Sequence, residues 1–378
     1  MIPGFSDKNM RLGQPNPKRS LAALIILFAV CIAAGIARGQ GHPQRIGELP
    51  KHRGHPFIGF SSAQNGWFYA GEEAWRTDDG GRTWTALELP PQTESDWYVW
   101  GLNLCDENRG WLRRSDGQFT TSDGGHTWRK LPNSPLKYPL GQIEDVAVLC
   151  SASRLWVAGG RYRLAEPGED APNVVSNRTA EGLRILRPAL AVTKDEGRTW
   201  DLIEPDMGFV YSIKEIIFTG ERHGLAVAQI STFFTEDGGS KWTKSQFSGH
   251  CEGSVDVPAN PEASISAVYF LNNRTGWLAF EDSRFFRTAD GGKTWCTVGK
   301  YSVEQNGEWG YLEDMFFSTG DHGWGRTQSG YLYETTDGGR IWRLIPAVES
   351  FRSLASYDSR KAWLVTHTAL YELLPPSQ

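Results

Sequence analysis

One eight-residue phrase recurs six times in this chain, and the recurrence restricts the possible folds more than any other feature. It reads TDDGGRTW from Thr77, TSDGGHTW from Thr121, TKDEGRTW from Thr193, TEDGGSKW from Thr235, TADGGKTW from Thr288 and TTDGGRIW from Thr335. Met once, a glycine-rich acidic phrase would pass for a metal loop or a phosphate cradle. Six copies are architecture. A calcium loop needs several oxygen ligands, and these boxes mostly offer one carboxylate each. A phosphate loop needs lysine, a hydroxyl and a following helix, whereas strand-like text follows here.

A second signal precedes each box: GW at Trp67, Trp111, Trp277 and Trp324, LW at Trp156, and GL at Leu225. From this apolar residue to the box aspartate is 12 or 13 residues in five cases and 39 in the third. That interval holds two short strands and a tight turn. A third apolar run lies upstream and a fourth follows the box, giving four strands, A to D, per unit. Box spacings of 42 to 53 residues, apart from the one lengthened interval, fit propeller blades better than a sandwich or a solenoid. A seventh unit from Phe351, with Trp363 in the signal position, supplies strands A to C and then the chain ends. The text RIGELP from Arg45 resembles strand D text and is the expected donor of the missing strand. The expected fold is all-β: a seven-bladed propeller of four-stranded antiparallel blades, its ring closed by an N-terminal strand joining the C-terminal blade.

Within each box the residue types have structural tasks. The aspartates Asp79, Asp123, Asp195, Asp237, Asp290 and Asp337 accept backbone N–H groups, the glycines supply positive φ, and Trp84, Trp128, Trp200, Trp242, Trp295 and Trp342 bury large faces. The phrase resembles the Asp-box, or BNR, repeat S/T-x-D-x-G-x-T-W of sialidases, sortilin-type receptors and the photosystem II assembly and stability factor family. Glu196, Lys241 and Ile341 depart from it. The paired GW signal, the single seven-blade length and the amino end look most like the assembly factor family, over residues 45 to 375. That resemblance implies a scaffold or chaperone that binds protein and needs no cofactor. Sialidase chemistry would require an arginine triad with a tyrosine and its glutamate, and this sequence does not supply one.

Residues 1–40 read as an export segment: Lys8, Arg11, Lys18 and Arg19 precede an uncharged run, Leu21 to Ala37. Its length lies between a cleavable signal and a spanning helix, so a signal peptide and a membrane anchor over residues 21–37 both stand. Residues 41–378 are then the propeller, periplasmic or extracellular, with an insertion at about 160–188. The chain's net charge is −5, which argues against nucleic acid as a partner. Cys105, Cys150, Cys251 and Cys296 form no CxxC pair, so no metal site is expected. Cys251 and Cys296 are the expected disulfide, tying a D to A loop to the neighbouring D strand. Cys105 and Cys150 sit at equivalent inner-strand positions, bridged or as buried thiols.

In an antiparallel blade the A to B and C to D turns share one face. The boxes therefore mark a back face, and the B to C and D to A loops emerge at the front. The insertion from Arg161 falls in one B to C loop, and long unpatterned loops carry function more often than scaffold. Trp97, Trp100, Trp309, Tyr138, Tyr301 and Tyr311 lie at or near front loops, where they would form a binding surface or pack between blades. Asp145, Lys214, Glu215, Glu313, Asp314 and Arg352 fall on inner strands lining the channel. The expected function is protein binding by a monomer through the front face, with a membrane-associated partner. The alternative is a glycan-binding lectin or glycoside hydrolase using the same face.

Overall fold

The computed structural model describes residues 43–91, 99–114, 117–131, 147–151, 154–164, 176–179, 182–195, 198–203, 205, 213–248, 263–301, 304–305, 308–346 and 350–373. Seven antiparallel sheets follow one another along the chain. The first blade takes Phe57–Phe60, Gly66–Ala70, Glu73–Thr77 and Thr85–Ala86 as strands A to D. The second takes Val99–Leu104, Gly110–Arg114, Gly117–Thr121 and Arg129–Lys130. In the third, Ala147–Ser151, Arg154–Leu164, Gly182–Thr193 and Asp201–Ile203 play these parts. Blades four, five and six begin with Glu215–Phe218, Ile265–Phe270 and Leu312–Phe317. The seventh uses Ser353–Asp358, Lys361–Val365 and Ala369–Leu373. Its fourth strand is Gln44–Glu48, antiparallel to Ala369–Leu373, so the termini close the ring as expected. Closure removes open sheet edges.

The apolar signal of each strand B is the core between blades. Trp277 stacks on Phe317 of the next blade with ring centroids 3.7 Å apart, and Trp363 stacks on Phe60 of the first blade at 3.6 Å. Trp156, Trp277, Trp324 and Trp363 are almost wholly buried. Burying an indole removes roughly 200 Å² from water, or about 5 kcal/mol as an upper bound.

The boxes close the back of the ring. In the second blade the Thr121 hydroxyl donates to Asp123 Oδ1 at 2.7 Å, and the Thr127 N–H and hydroxyl donate to the same carboxylate at 2.9 and 2.5 Å. Led by the Thr127 hydroxyl and N–H, these donors hold the Asp123 carboxyl at about 2. Thr199 and Thr193 depress Asp195 in the same way. Among the described residues, latches also reach beyond their turns. Within the blade, the Gly124 N–H donates to the Asn108 carbonyl of the A to B turn at 2.6 Å. Between blades, the Gly124 carbonyl accepts from Arg76 at 3.1 Å and the Gly338 carbonyl accepts from Trp277 at 3.2 Å.

One expectation needs correction, and two that were open are decided. The insertion is not a loop: strands B and C of the third blade run on through it, and Ser176–Thr179 adds a further strand. Of the two states open to Cys105 it takes the bridged one, and Cys296 is disulfide-bonded as expected. Of the two roles open to the front aromatics, Tyr301 takes packing between blades. It is 2% exposed, its hydroxyl donates to the Phe280 carbonyl at 3.0 Å, and it accepts the Leu312 N–H at 3.0 Å.

Candidate functional site at the front of the channel

Strand A is the innermost strand of each blade, and its first residues ring the front of the channel. Counting eleven residues back from the strand B signal gives Pro56, Trp100, Lys214, Ser266, Glu313 and Arg352 in six blades, the third blade's position falling outside the described residues. In three blades this residue is a β-bulge. The register jumps between Val99 and Gly101, between Ile265 and Ala267, and between Leu312 and Asp314, leaving Trp100, Ser266 and Glu313 unpaired in the ladder. Bulges re-aim side chains and recur beside functional sites.

The two sides of the ring differ in chemistry. On the side of blades one and two, Trp100 is 47% exposed with the Arg113 guanidinium 5.0 Å from its ring centroid. Phe57 is 43% exposed and stacks on Tyr69 at 5.1 Å. Arg352 of the seventh blade adds a cation whose Nε is buried with no hydrogen-bond partner. An orphaned buried donor is expensive and is tolerated where a ligand or water completes it.

Blades four and six carry acid. The buried Arg326 guanidinium donates through Nε to Asp314 Oδ2 at 2.7 Å and through Nη2 to Glu313 Oε2 at 2.9 Å, and the Leu354 N–H donates to Asp314 at 3.3 Å. Burial raises the Asp314 carboxyl despite Arg326. Glu215, open to channel water but enclosed by the ring, is pushed up to about 7 by that enclosure and then by the Asp314 charge. A carboxyl that exchanges its proton near neutrality therefore faces one held by a guanidinium.

Of the residues expected here, Glu313 and Asp314 share the Arg326 guanidinium, Arg352 holds the equivalent position in the seventh blade, and Tyr311 is half-buried. Trp309 falls in a short hairpin, Glu304–Gln305 with Glu308–Trp309, where a loop was expected. Trp97, Asp145, Tyr138 and Cys251 lie outside the described residues. Sequence reasoning placed Trp100 among the front aromatics but missed Phe57, and the count back from each tryptophan was the signal that would have put Trp100 on the ring itself. A groove of about 720 Å³ at the front rim of the first blade, lined by Lys51, His52, Arg53, Glu72 and Glu73, was also missed. Among the described residues no three or more His, Cys, Asp or Glu converge as metal ligands, and no helix is long and apolar enough to cross a membrane.

No protein-family profile and no curated protein matches the chain. Solved structures are. One described as YCF48 bound to D1 peptide is 16% identical with a TM-score of 0.56, the match covering 89% of this chain and 94% of that one. YCF48 from Cyanidioschyzon merolae is also 16% identical at a TM-score of 0.56, over 87% of this chain and 98% of the other. A streptogramin B lyase is 12% identical with a TM-score of 0.55, over 88% and 96%. At these identities the likeness is one of fold.

Proposed function

We propose that this chain is an exported, non-enzymatic propeller that binds a protein segment at the front of its channel, as an assembly or stability factor. The observation that carries the reading is the ring itself. Bulges take Trp100 and Glu313 out of the ladder, Trp100 stays exposed, and Arg352 keeps a buried Nε unsatisfied. Exposed aromatics beside cations are the residues that dominate protein recognition. A neighbour in fold was solved with a peptide bound, which supports the same use of this scaffold.

A second reading rests on Glu215 and Asp314. Both are raised, Glu215 by burial to about 7 and Asp314 by burial against Arg326, and a glycoside hydrolase would use Glu215 as its acid. A glycan array and a glycosidase panel, run beside capture of partners from membrane extracts, separate the two. Partner capture lost on W100A/R352Q, with no glycan turnover, supports the first. Glycan turnover abolished by E215Q overturns it.

A further inference from the structure

Between the closing strand and the first blade the chain crosses that blade's B to C turn, and the crossing leaves a groove of about 720 Å³. Two glycines permit it. Gly54 lies at φ +92° and Gly71 at φ +60°, and a Cβ added to Gly71 would stand 2.8 Å from the Arg53 carbonyl oxygen. Backbone therefore rests on backbone at the crossing, and the flanking side chains form two lips.

The lips carry opposite charge. Lys51 and Arg53 come from the connecting segment, Glu72 and Glu73 from the turn, and all four line the groove and are exposed. Among the described residues none of the four enters an ion pair, although their segments touch. His52 lines the same groove and is half-buried. Its ring meets Phe68 edge-on at 4.9 Å and stacks on His367 at 6.5 Å, and its Nδ1 donates to the Pro50 carbonyl at 2.8 Å. A carbonyl only accepts, so Nδ1 holds a proton and Nε2 is the ring's remaining polar atom.

Opposite charges held apart in one cavity select a ligand that is itself dipolar. A phosphate would meet Glu72 and Glu73, a polyamine would meet Lys51 and Arg53, and a neutral sugar would leave four charges unmatched. We propose that the groove binds a short peptide with free ends. Its α-carboxylate lies on Lys51 and Arg53, its α-ammonium on Glu72 and Glu73, and His52 Nε2 accepts a main-chain N–H. The volume is in the range of cavities that enclose small ligands, and hydrogen bonds between charged groups are stronger than neutral ones. This site is separate from the channel and does not depend on what binds there.

The test is isothermal titration calorimetry of the full chain with trialanine, its N-acetyl form and its C-terminal amide. Each cap removes one charge and leaves the rest of the peptide in place. Trialanine is expected to bind, and either cap to weaken binding at least about tenfold, as the loss of a charge-assisted hydrogen bond implies. E72Q/E73Q is expected to bind free and acetylated trialanine equally, and K51Q/R53Q to bind free and amidated trialanine equally. An unchanged melting temperature certifies folding, and if a double variant unfolds, E72Q or K51Q replaces it with a partial loss of the matching effect. No binding of any form, capped peptides bound as tightly as trialanine, or a cap effect that persists in full in its matching variant overturns the proposal. So does a doubly capped Lys-Ala-Glu peptide that binds as tightly as trialanine, which would assign the groove to a charged stretch within a protein chain.

Discussion

The Trp363 indole N–H donates to the Gly80 carbonyl at 3.3 Å, joining the last blade to the first across 283 positions of sequence. Beside it, Gly81 sits at φ +91°, where an added Cβ would lie 2.1 Å from Leu370. The seam of the ring is therefore held by a box latch and by the N-terminal strand together. Deleting residues 42–50 removes that strand and the buried Leu49. The melting temperature is expected to fall by more than about 10 °C, from a loss of several kcal/mol. An unchanged transition in a thermal melt would show that the seam does not depend on the strand.

Asp123 collects two hydroxyl donors and one backbone donor. D123A leaves them without that acceptor and is expected to cost about 1–2 kcal/mol in urea unfolding at pH 7. Its carboxyl is held at about 2, below the ordinary 3.8. The contribution is thus present above pH 3.8 and is lost as pH falls towards 2. The gap between wild type and variant should close over that interval and stay open at neutral pH.

Glu215 has the opposite sign. Its pKa is raised from 4.5 to about 7, so the folded chain holds a proton that the unfolded chain has released, and stability falls as pH rises from 4.5 through 7. E215Q is expected to match wild type at pH 4 and to exceed it at pH 8. The full shift would be worth about 3 kcal/mol, but channel water screens the group, and about 1 kcal/mol is expected. Paired melting curves at the two pH values decide it.

Cys296 is disulfide-bonded, and the chain brings Gln246–Ser248 alongside its strand in parallel, Ser248 opposite Cys296. Cys251, three residues further on, is the expected partner. Peptide mapping after alkylation without reductant should recover a peptide joining Cys251 to Cys296 and leave Cys105 unlabelled. An alkylated Cys251 would contradict the pairing.

The ring was legible in the sequence because its period is carried by residues that glycine geometry and indole burial make hard to replace. RIGELP betrayed the closing strand for the same reason. The channel site was legible in part. Glu313, Asp314 and Arg352 could be assigned to inner strands by counting. That Trp100 and Glu313 leave the ladder depends on a one-residue slip that only the pairing partner defines. Tyr301 could be read either as surface or as packing between blades, because the Phe280 carbonyl and Leu312 N–H that engage its hydroxyl are brought to it only by the fold. The insertion was invisible as strands because Gly159, Gly160 and Pro188 interrupt the alternation where B and C leave the blade.

The central claim is that partners engage the front of the channel and not the box face. A photo-crosslinking amino acid placed at Trp100, and in a second protein at the exposed back-face Ser240, tests it in membranes of the source cells. The account predicts a discrete crosslinked partner from position 100, lost when R352Q is added, and none from position 240. Crosslinking of the same partner from position 240, with position 100 silent, would contradict it.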